Sequence, residues 1–399
     1  MSPALSIRQE RKLTSIFFLF YGFGGMSWLP RFPDVKENLG ISIGQFGTLI
    51  SLITLGGIVS FITVGHLVHR FGTFKSFLVL MTLLYSTYTA IVFCHSPTLF
   101  ALLMVTLGFA QSGFHITANA QAFDTQERAG GVFITGWHGM WSGGATLGAV
   151  AGIFLVNRVS AEAHITTVSI VTFAVQMWIV FRQRATLLEP GEGEDSIVNI
   201  KKIFTGFHFD WYISIVFVSA CILEHAVGDW GTIYTKEGLG FNSGLSVLPF
   251  LLFSIMMITG RLSSARLFKK YSPEYLVRRG ALVGSLGFSI FFFPAAVLPE
   301  SQKHLALALT CIAFIFGGLG SSFIGPTFFN LANLRSPHPS AVVTGHFGTQ
   351  NYILFFFIKM GIAWTAEITG SIAIALAIPA TLLFTVAFYT KAFKSVPAR

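Results

Sequence analysis

The sequence predicts an all-α membrane protein with twelve transmembrane helices in two parallel-repeat six-helix bundles. Three observations carry that expectation. Apolar residues make up 53% of the chain and charged residues only 11%, whereas a soluble domain carries about 25% charged. The apolar residues gather in helix-length blocks, and the cations between blocks fall mostly on one side of the alternating topology. With a mean hydropathy of +0.69 and 43 Phe in 399 residues, the apolar surface exceeds what a water-soluble core can hide. A disordered chain, a disulfide-stapled secreted module and an ordinary soluble enzyme are therefore excluded, and lipid is the expected solvent.

A bilayer span needs about 20 mostly apolar residues. Twelve stretches qualify, at 13–29, 43–65, 76–94, 98–122, 131–156, 164–181, 210–234, 245–263, 280–298, 304–333, 341–364 and 370–391. Arg8, Arg11 and Lys12 precede the first, as in a signal peptide. No small-residue cleavage site follows, so a retained helix is expected. With the N-terminus inside, twenty of the 26 Lys and Arg lie in inner segments, five in outer ones, and Lys359 within a span. Both termini are thus expected in the cytoplasm. The net charge of +9 suits this pattern better than a nucleic-acid stripe, so no nucleic-acid partner is expected. Cys94, Cys221 and Cys311 fall inside apolar runs without metal-ligand spacing, and no metal site is expected.

The polar stretch with Glu189, Glu192, Glu194, Asp195, Lys201 and Lys202 follows the sixth span. It reads as a cytoplasmic linker, dividing the chain into an N-terminal half (1–185), a linker (186–208) and a C-terminal half (209–399). The halves look like repeats. Lys36-Glu37-Asn38-Leu39-Gly40-Ile41-Ser42-Ile43-Gly44 and Lys236-Glu237-Gly238-Leu239-Gly240-Phe241-Asn242-Ser243-Gly244 agree at five of nine positions, at an offset of 200. Arg70-Phe71-Gly72 meets Lys270-Tyr271-Ser272 at the same offset. Six spans per repeat gives both halves one orientation, with an axis along the membrane normal.

Two six-helix halves, a central linker and a basic loop after the second span resemble the major facilitator superfamily. Its loop signature, G-x-x-x-D-R-x-G-[RK]-[RK], is met by Gly65, Arg70 and Gly72, with Lys75 nearby. His69 takes the acidic position and Thr73-Phe74 the basic pair. The resemblance implies a loop that controls conformation; in the family the acid belongs to a charge relay, which a His weakens or makes pH-sensitive. Ser27-Trp28-Leu29-Pro30-Arg31-Phe32-Pro33, Trp137-His138-Gly139 and Glu224-His225-Ala226-Val227-Gly228-Asp229-Trp230 are similar to bacterial inner-membrane transporters of the YbjJ type, near the fucose permeases. That branch implies proton symport of sugars, with an acid on the fourth helix; here the matching position is His115.

Charges at bilayer depth cost on the order of 3 kcal/mol, so each needs a cavity or a partner. His115 and Asn119 are four apart on the fourth span, and His138 is on the fifth. Trp137 and Trp141 share a face that suits stacking on a solute or plain packing. On the seventh span, His225 and Asp229 are four apart, while Glu224 points about 100° away from His225. A proton or substrate site is one reading; Asp229 and Trp230 as markers of the outer interface is the other. Gln350, Asn351 and Lys359 lie on the eleventh span, and Lys359 either attracts an anionic solute, pairs with Glu224, or snorkels. Gly144, Gly148 and Gly152 form a close-packing face. Gly317, Gly318, Gly320, Gly325 and Pro326 permit bending of the tenth span. Arg31, with Asp34 nearby, is a surface ion pair or an outer-gate contact.

No P-loop, nucleophile elbow, zinc-protease motif or dinucleotide fingerprint occurs, so neither enzymatic activity nor a cofactor is expected. The expected function is secondary active transport of a small polar solute, a sugar or related metabolite, by proton symport in a bacterial-type inner membrane, as a monomer. Substrate binding falls to His115, Asn119, Trp137, His138, Trp141, Asn351 and Lys359, and proton coupling to Glu224, His225 and Asp229, with Glu224 the favoured titrating carboxylate. Proton-antiport efflux of amphiphiles and a non-transporting sensor are the alternatives.

Overall fold

A computed structural model describes residues 5–130, 133–156, 158–191, 210–241, 244–335, 340–389 and 393. Residues 192–209, most of the expected linker, lie outside the described residues, as do Asn242 and Ser243 of the second repeat. Every regular element among the described residues is helical. The chain divides into two compact units, one of Met1–Arg31 and Leu52–Phe207, the other of Phe32–Ser51 and His208–Arg399.

The first unit holds α1 (Ile7–Met26), α4 (Ile53–Val92), α5 (Pro97–Ala129), α6 (Ile134–Leu155) and α7 (Ala161–Arg182). The second holds α2 (Phe32–Leu39), α3 (Ile43–Ser51), α8 (Trp211–Ile233), α9 (Leu248–Leu267), α10 (Pro273–Ala296), α11 (Lys303–Ser321), α12 (Ile324–Arg335), α13 (Ser340–Thr369), α14 (Ile372–Ala375) and α15 (Ala377–Val386). Among the described residues, nine helical stretches are long and apolar enough to cross a membrane. One of them, Ile43–Val92, contains two of the expected spans. They join at Gly72, whose φ of 76° and ψ of 166° belong to a region essentially reserved for glycine. The expected spans 131–156 and 370–391 are helical over Ile134–Leu155 and Ile372–Val386 without being among the nine.

Helix ends follow local chemistry rather than hydropathy. Ser6 and Gln9 form a capping box, so α1 starts earlier than its apolar run. Ser272 caps α10 with Pro273 in the first turn, also ahead of the apolar run. The expected tenth span is broken between Ser321 and Ile324, and Pro326 sits in the first turn of α12, where its missing N–H costs little.

Glycines set the closest helix approaches. Gly144 and Gly148 lie against the Leu19 and Phe23 carbonyls of α1, and Gly152 against Pro30. The expected close-packing face is thus the α1–α6 seam. In the first unit Gly108 of α5 abuts the carbonyl of Ile53. In the second, Gly318 of α11 abuts the carbonyl of Phe253, which lies 200 residues beyond Ile53, the offset of the sequence repeat. Each unit is built around the same backbone contact.

The sequence reading places 32–51 in the N-terminal half, whereas these residues pack in the second unit. Their own chemistry accounts for this. Gly47 lets α3 lie against Ala363 and the Trp230 ring. Gly44 N donates to Glu367 Oε2 at 2.9 Å, and Trp364 Nε1 donates to Thr48 Oγ1 at 3.0 Å. On α2, Lys36 pairs with Glu237 at 3.0 Å while Lys236 pairs with Glu37 and Asp34 at 3.5 Å. The two copies of the Lys-Glu dipeptide exchange partners, as residues related by a two-fold axis do.

Replacing Gly108 by Ala pushes a methyl into the Ile53 carbonyl and is expected to cost about 1–3 kcal/mol. Gly143, where an added methyl meets open space, is the control, with Gly143→Ala neutral or stabilising. Thermal unfolding of the purified variants in detergent checks both.

Candidate functional site

In the second unit, α8 and α13 run side by side in constant register. Phe217 faces Phe347 with ring centroids 4.9 Å apart, His225 faces Phe355 at 4.4 Å, and Asp229 Oδ2 lies 2.7 Å from Lys359 Nζ. The pairs recur at one sequence offset, so the helices are parallel. The four-residue steps from His225 to Asp229 and from Phe355 to Lys359 keep each set on one face. The Asp229 and Lys359 side chains are only 12% and 9% exposed. At that burial each charge depends on the other, because removing either leaves an uncompensated ion.

Lys359 therefore pairs with Asp229 and not with Glu224, and it does not snorkel. Glu224 is turned away round α8 toward α9, where Arg261 Nη2 lies 3.3 Å from Oε2. That pair is 41% and 34% exposed, and Arg261 Nε also donates to the Ser322 carbonyl at 3.1 Å. Trp230 is fully buried, with Gly47 against its ring, so it is not an interface marker. The His225 ring is exposed apart from its Phe355 contact. Gln350 accepts from Ser214 Oγ at 2.9 Å. Its Nε2 and the Oδ1 of buried Asn351 have no partner among the described residues.

In the first unit, the expected residues of α5 and α6 come together. Asn119 Nδ2 donates to the His115 carbonyl at 2.9 Å, and its Oδ1 lies 3.2 Å from His138 Nε2. The two imidazole centroids are 6.1 Å apart. Tyr21 of α1, which the sequence reading missed, places Oη 3.5 Å from His115 Nδ1. The α1–α6 glycine seam brings Trp141 beside Tyr21, with centroids 6.3 Å apart. Trp137 is different: it is buried between Phe18 and Phe133 and serves packing, so a stacking face shared with Trp141 is absent.

Around the signature loop, Gly72 is the residue with a structural task. A side chain there would meet the Leu188 carbonyl at 2.8 Å, and the next residue, Thr73, donates its N–H to that carbonyl at 3.0 Å. Gln121 of α5 ties this together. Its Oε1 accepts from Thr73 Oγ1 at 2.8 Å and Leu188 N at 2.9 Å, and its Nε2 donates to the Thr186 carbonyl at 3.1 Å. His69 accepts from Gly191 N through its carbonyl at 2.8 Å, and its ring covers Gly191. Gly65 is open and Arg70 exposed, over the Phe71 ring.

One further group escaped the sequence reading, and one was read differently. Glu10, 1% exposed, receives both Arg128 amino groups and the Thr125 hydroxyl, joining the start of α1 to the end of α5. Arg31 is buried rather than a surface group. It donates to His164 Nδ1 at 3.1 Å and to the Leu155 and Val159 carbonyls at 3.0 and 2.8 Å, tying the turn after α6 to α7.

Because the Asp229–Lys359 pair is buried, Asp229→Asn or Lys359→Met alone is expected to cost about 3–5 kcal/mol. The double variant, which leaves no orphan charge, is expected to regain most of that loss. Thermal unfolding of the three variants measures the coupling.

The Major Facilitator Superfamily profile matches residues 14–358. An uncharacterised MFS-type transporter of Yersinia pestis is 22% identical over 396 residues, covering 98% of this chain and 97% of that protein. The membrane protein MosC of Rhizobium meliloti is 22% identical over 330 residues, covering 80% of this chain and 75% of its own. Among solved structures, the nucleoside transporter NupG superposes with a TM-score of 0.68, at 13% identity, over 98% of this chain and 99% of that one. A D-xylose-proton symporter superposes with a TM-score of 0.70, at 13% identity, over 98% of each. At that identity these two structures show the fold alone. With the profile covering most of its length, the chain belongs to the Major Facilitator Superfamily and is a multi-pass membrane transporter.

Proposed function

We propose that the chain is a proton-coupled symporter of a small polar solute, a sugar or related metabolite, working by alternating access. It acts as a monomer in a bacterial-type inner membrane, both termini in the cytoplasm, in the YbjJ-like branch near the fucose permeases. The observation that carries this reading is the buried Asp229–Lys359 pair. A carboxylate held by one ammonium is a two-state element. When Asp229 takes a proton its attraction for Lys359 falls away, and the ammonium is free to engage the solute; when the proton leaves, the pair re-forms and competes with the solute. Proton and solute thereby favour the same state, which is what coupling requires. Asp229 takes the leading role over Glu224, because Glu224 is half-exposed and held by an arginine, whose charge is permanent. His225, one turn away, stands beside the proton's path.

Within the first unit, a separate group of polar side chains suits solute contact. Tyr21, His115, Asn119, His138 and Trp141 offer hydroxyl, imidazole, amide and indole groups without a formal carboxylate. That chemistry fits hydroxylated solutes. The two structural neighbours, a nucleoside transporter and a D-xylose-proton symporter, support the solute class and the coupling. The bias of cations toward one set of loops supports the orientation.

The test is uptake by proteoliposomes that carry an internal pH dye, screened with sugars, sugar acids, nucleosides and amino acids. An accepted solute is expected to acidify the lumen as it enters with protons. Asp229→Asn is expected to abolish uphill uptake while keeping solute counterflow, which needs no net proton movement; Glu224→Gln is expected to retain uphill uptake. Uphill uptake unchanged in Asp229→Asn contradicts the assignment.

A further inference from the structure

We infer that the solute carries a carboxylate: it is a hydroxylated organic acid that enters with one proton, its carboxylate taking the place of Asp229 on Lys359. This rests on the transport reading above and adds the chemical class of its solute.

The argument starts from charge balance. Lys359 is buried and, among the described residues, has one acidic partner, Asp229. The other titratable and charged groups around Asp229 are accounted for. His225 is one turn back on α8, against Phe355 of α13. Glu224 is neutralised by Arg261 of α9. Asp34 and Glu37 of α2 are engaged by Lys236. Glu367 of α13, two turns beyond Lys359, accepts from Gly44 N of α3 at 2.9 Å, and the Asp229–Lys359 contact is itself electrically neutral as it stands. A bare carboxylate arriving there adds an uncompensated negative charge. A proton on Asp229 removes one, so the loaded contact is neutral again. Within the step, a proton bonds to an Asp229 carboxylate oxygen, the contact with Nζ breaks, and a solute carboxylate oxygen accepts from Nζ instead. Lys359 stays an ammonium throughout. One proton and one carboxylate move together, and no net charge crosses.

A neutral sugar gives the ammonium no counter-ion once Asp229 is protonated. Sugar hydroxyls are met by amides, hydroxyls and rings, whereas a buried cation costs several kcal/mol and tends to be kept for a counter-ion or a substrate. Proton binding alone needs only the carboxylate. Asn351 Oδ1 and Gln350 Nε2, both closed off from the surface, are an acceptor and a donor without partners among the described residues, on α13 some two turns before Lys359. The stem of a helical lysine leans toward its own N-terminus, which is the direction of Asn351.

The experiment compares matched pairs, gluconate with glucose and xylonate with xylose, on the full-length chain. Thermal shift reads binding, and proteoliposome uptake reads transport under a proton gradient, with the membrane potential clamped at two values. The aldonates are expected to raise the melting temperature and to enter at a rate independent of the potential. Lys359→Gln is expected to weaken aldonate binding by about thirtyfold or more, the equivalent of roughly 2 kcal/mol. Lys359→Arg is expected to retain part of it, which separates a lost charge from a misfolded chain. Asp229→Asn, a neutral stand-in for the protonated acid, is expected to bind aldonates at least as well as the parent. Uptake of neutral sugars with aldonates inert overturns this inference and leaves the transport reading standing. Aldonate binding unchanged in Lys359→Gln, or potential-driven aldonate uptake, also overturns it. Failure of every solute in the panel to bind or move overturns both.

Discussion

Water is absent from the hydrocarbon of a bilayer, so each polar group within a span must find its partner inside the protein. That constraint organises both units. Lys359 finds Asp229, and Glu10 finds Arg128. Arg31 finds His164 and the Leu155 and Val159 carbonyls at the turn after α6. Gln121 spends its side-chain amide on the loop after the second span and on the segment following α7. None of these is decoration on an apolar bundle. Each joins elements distant in sequence at a point where leaving the group alone is costly.

The two units share a plan and differ at one seam. In each, a glycine of the fourth helix of the repeat rests on an equivalent carbonyl, Gly108 on Ile53 and Gly318 on Phe253. The seam between the first and fifth helices diverges. In the first unit it is closed by Gly22, Gly144 and Gly148, backbone against backbone. In the second the matching seam is α8 against α13, where phenylalanines, His225 and the Asp229–Lys359 pair fill the space. Small residues make a tight joint with van der Waals contact. Long polar ones make a joint whose closeness depends on a charge, and such a joint can change when the charge does.

The sequence was informative wherever a property is local or periodic. Helix-length apolar runs locate the membrane elements, and the four-residue spacing of Gly144, Gly148 and Gly152 identifies a helix seam. His115, Asn119 and His138 are visible because so few polar residues interrupt those runs. What sequence leaves open is rotation and partnership. Glu224 and Asp229 both sit within reach of α8's neighbours, and only the orientation of α8 gives Lys359 to Asp229 and Glu224 to Arg261. Trp137 and Trp141 are one turn apart, yet packing against Phe18 and Phe133 separates Trp137 from the cluster of Tyr21, His115 and Trp141. Gln121, Glu10 and Tyr21 look ordinary in sequence, since an amide, an acid in a basic cluster and a tyrosine each have many common uses. The docking of 32–51 in the second unit is also invisible, because it depends on reciprocal pairing of two dipeptides that sequence shows only as a repeat.

The central claim is that Asp229 changes protonation state while the fold stays intact. Infrared difference spectroscopy of the reconstituted chain between neutral and acidic pH observes this directly, through the carbonyl stretch of a protonated carboxyl group. The account predicts a band that grows on acidification, is lost in Asp229→Asn and persists in Glu224→Gln. A spectrum unaltered by Asp229→Asn, or one whose carboxyl band disappears only in Glu224→Gln, contradicts it.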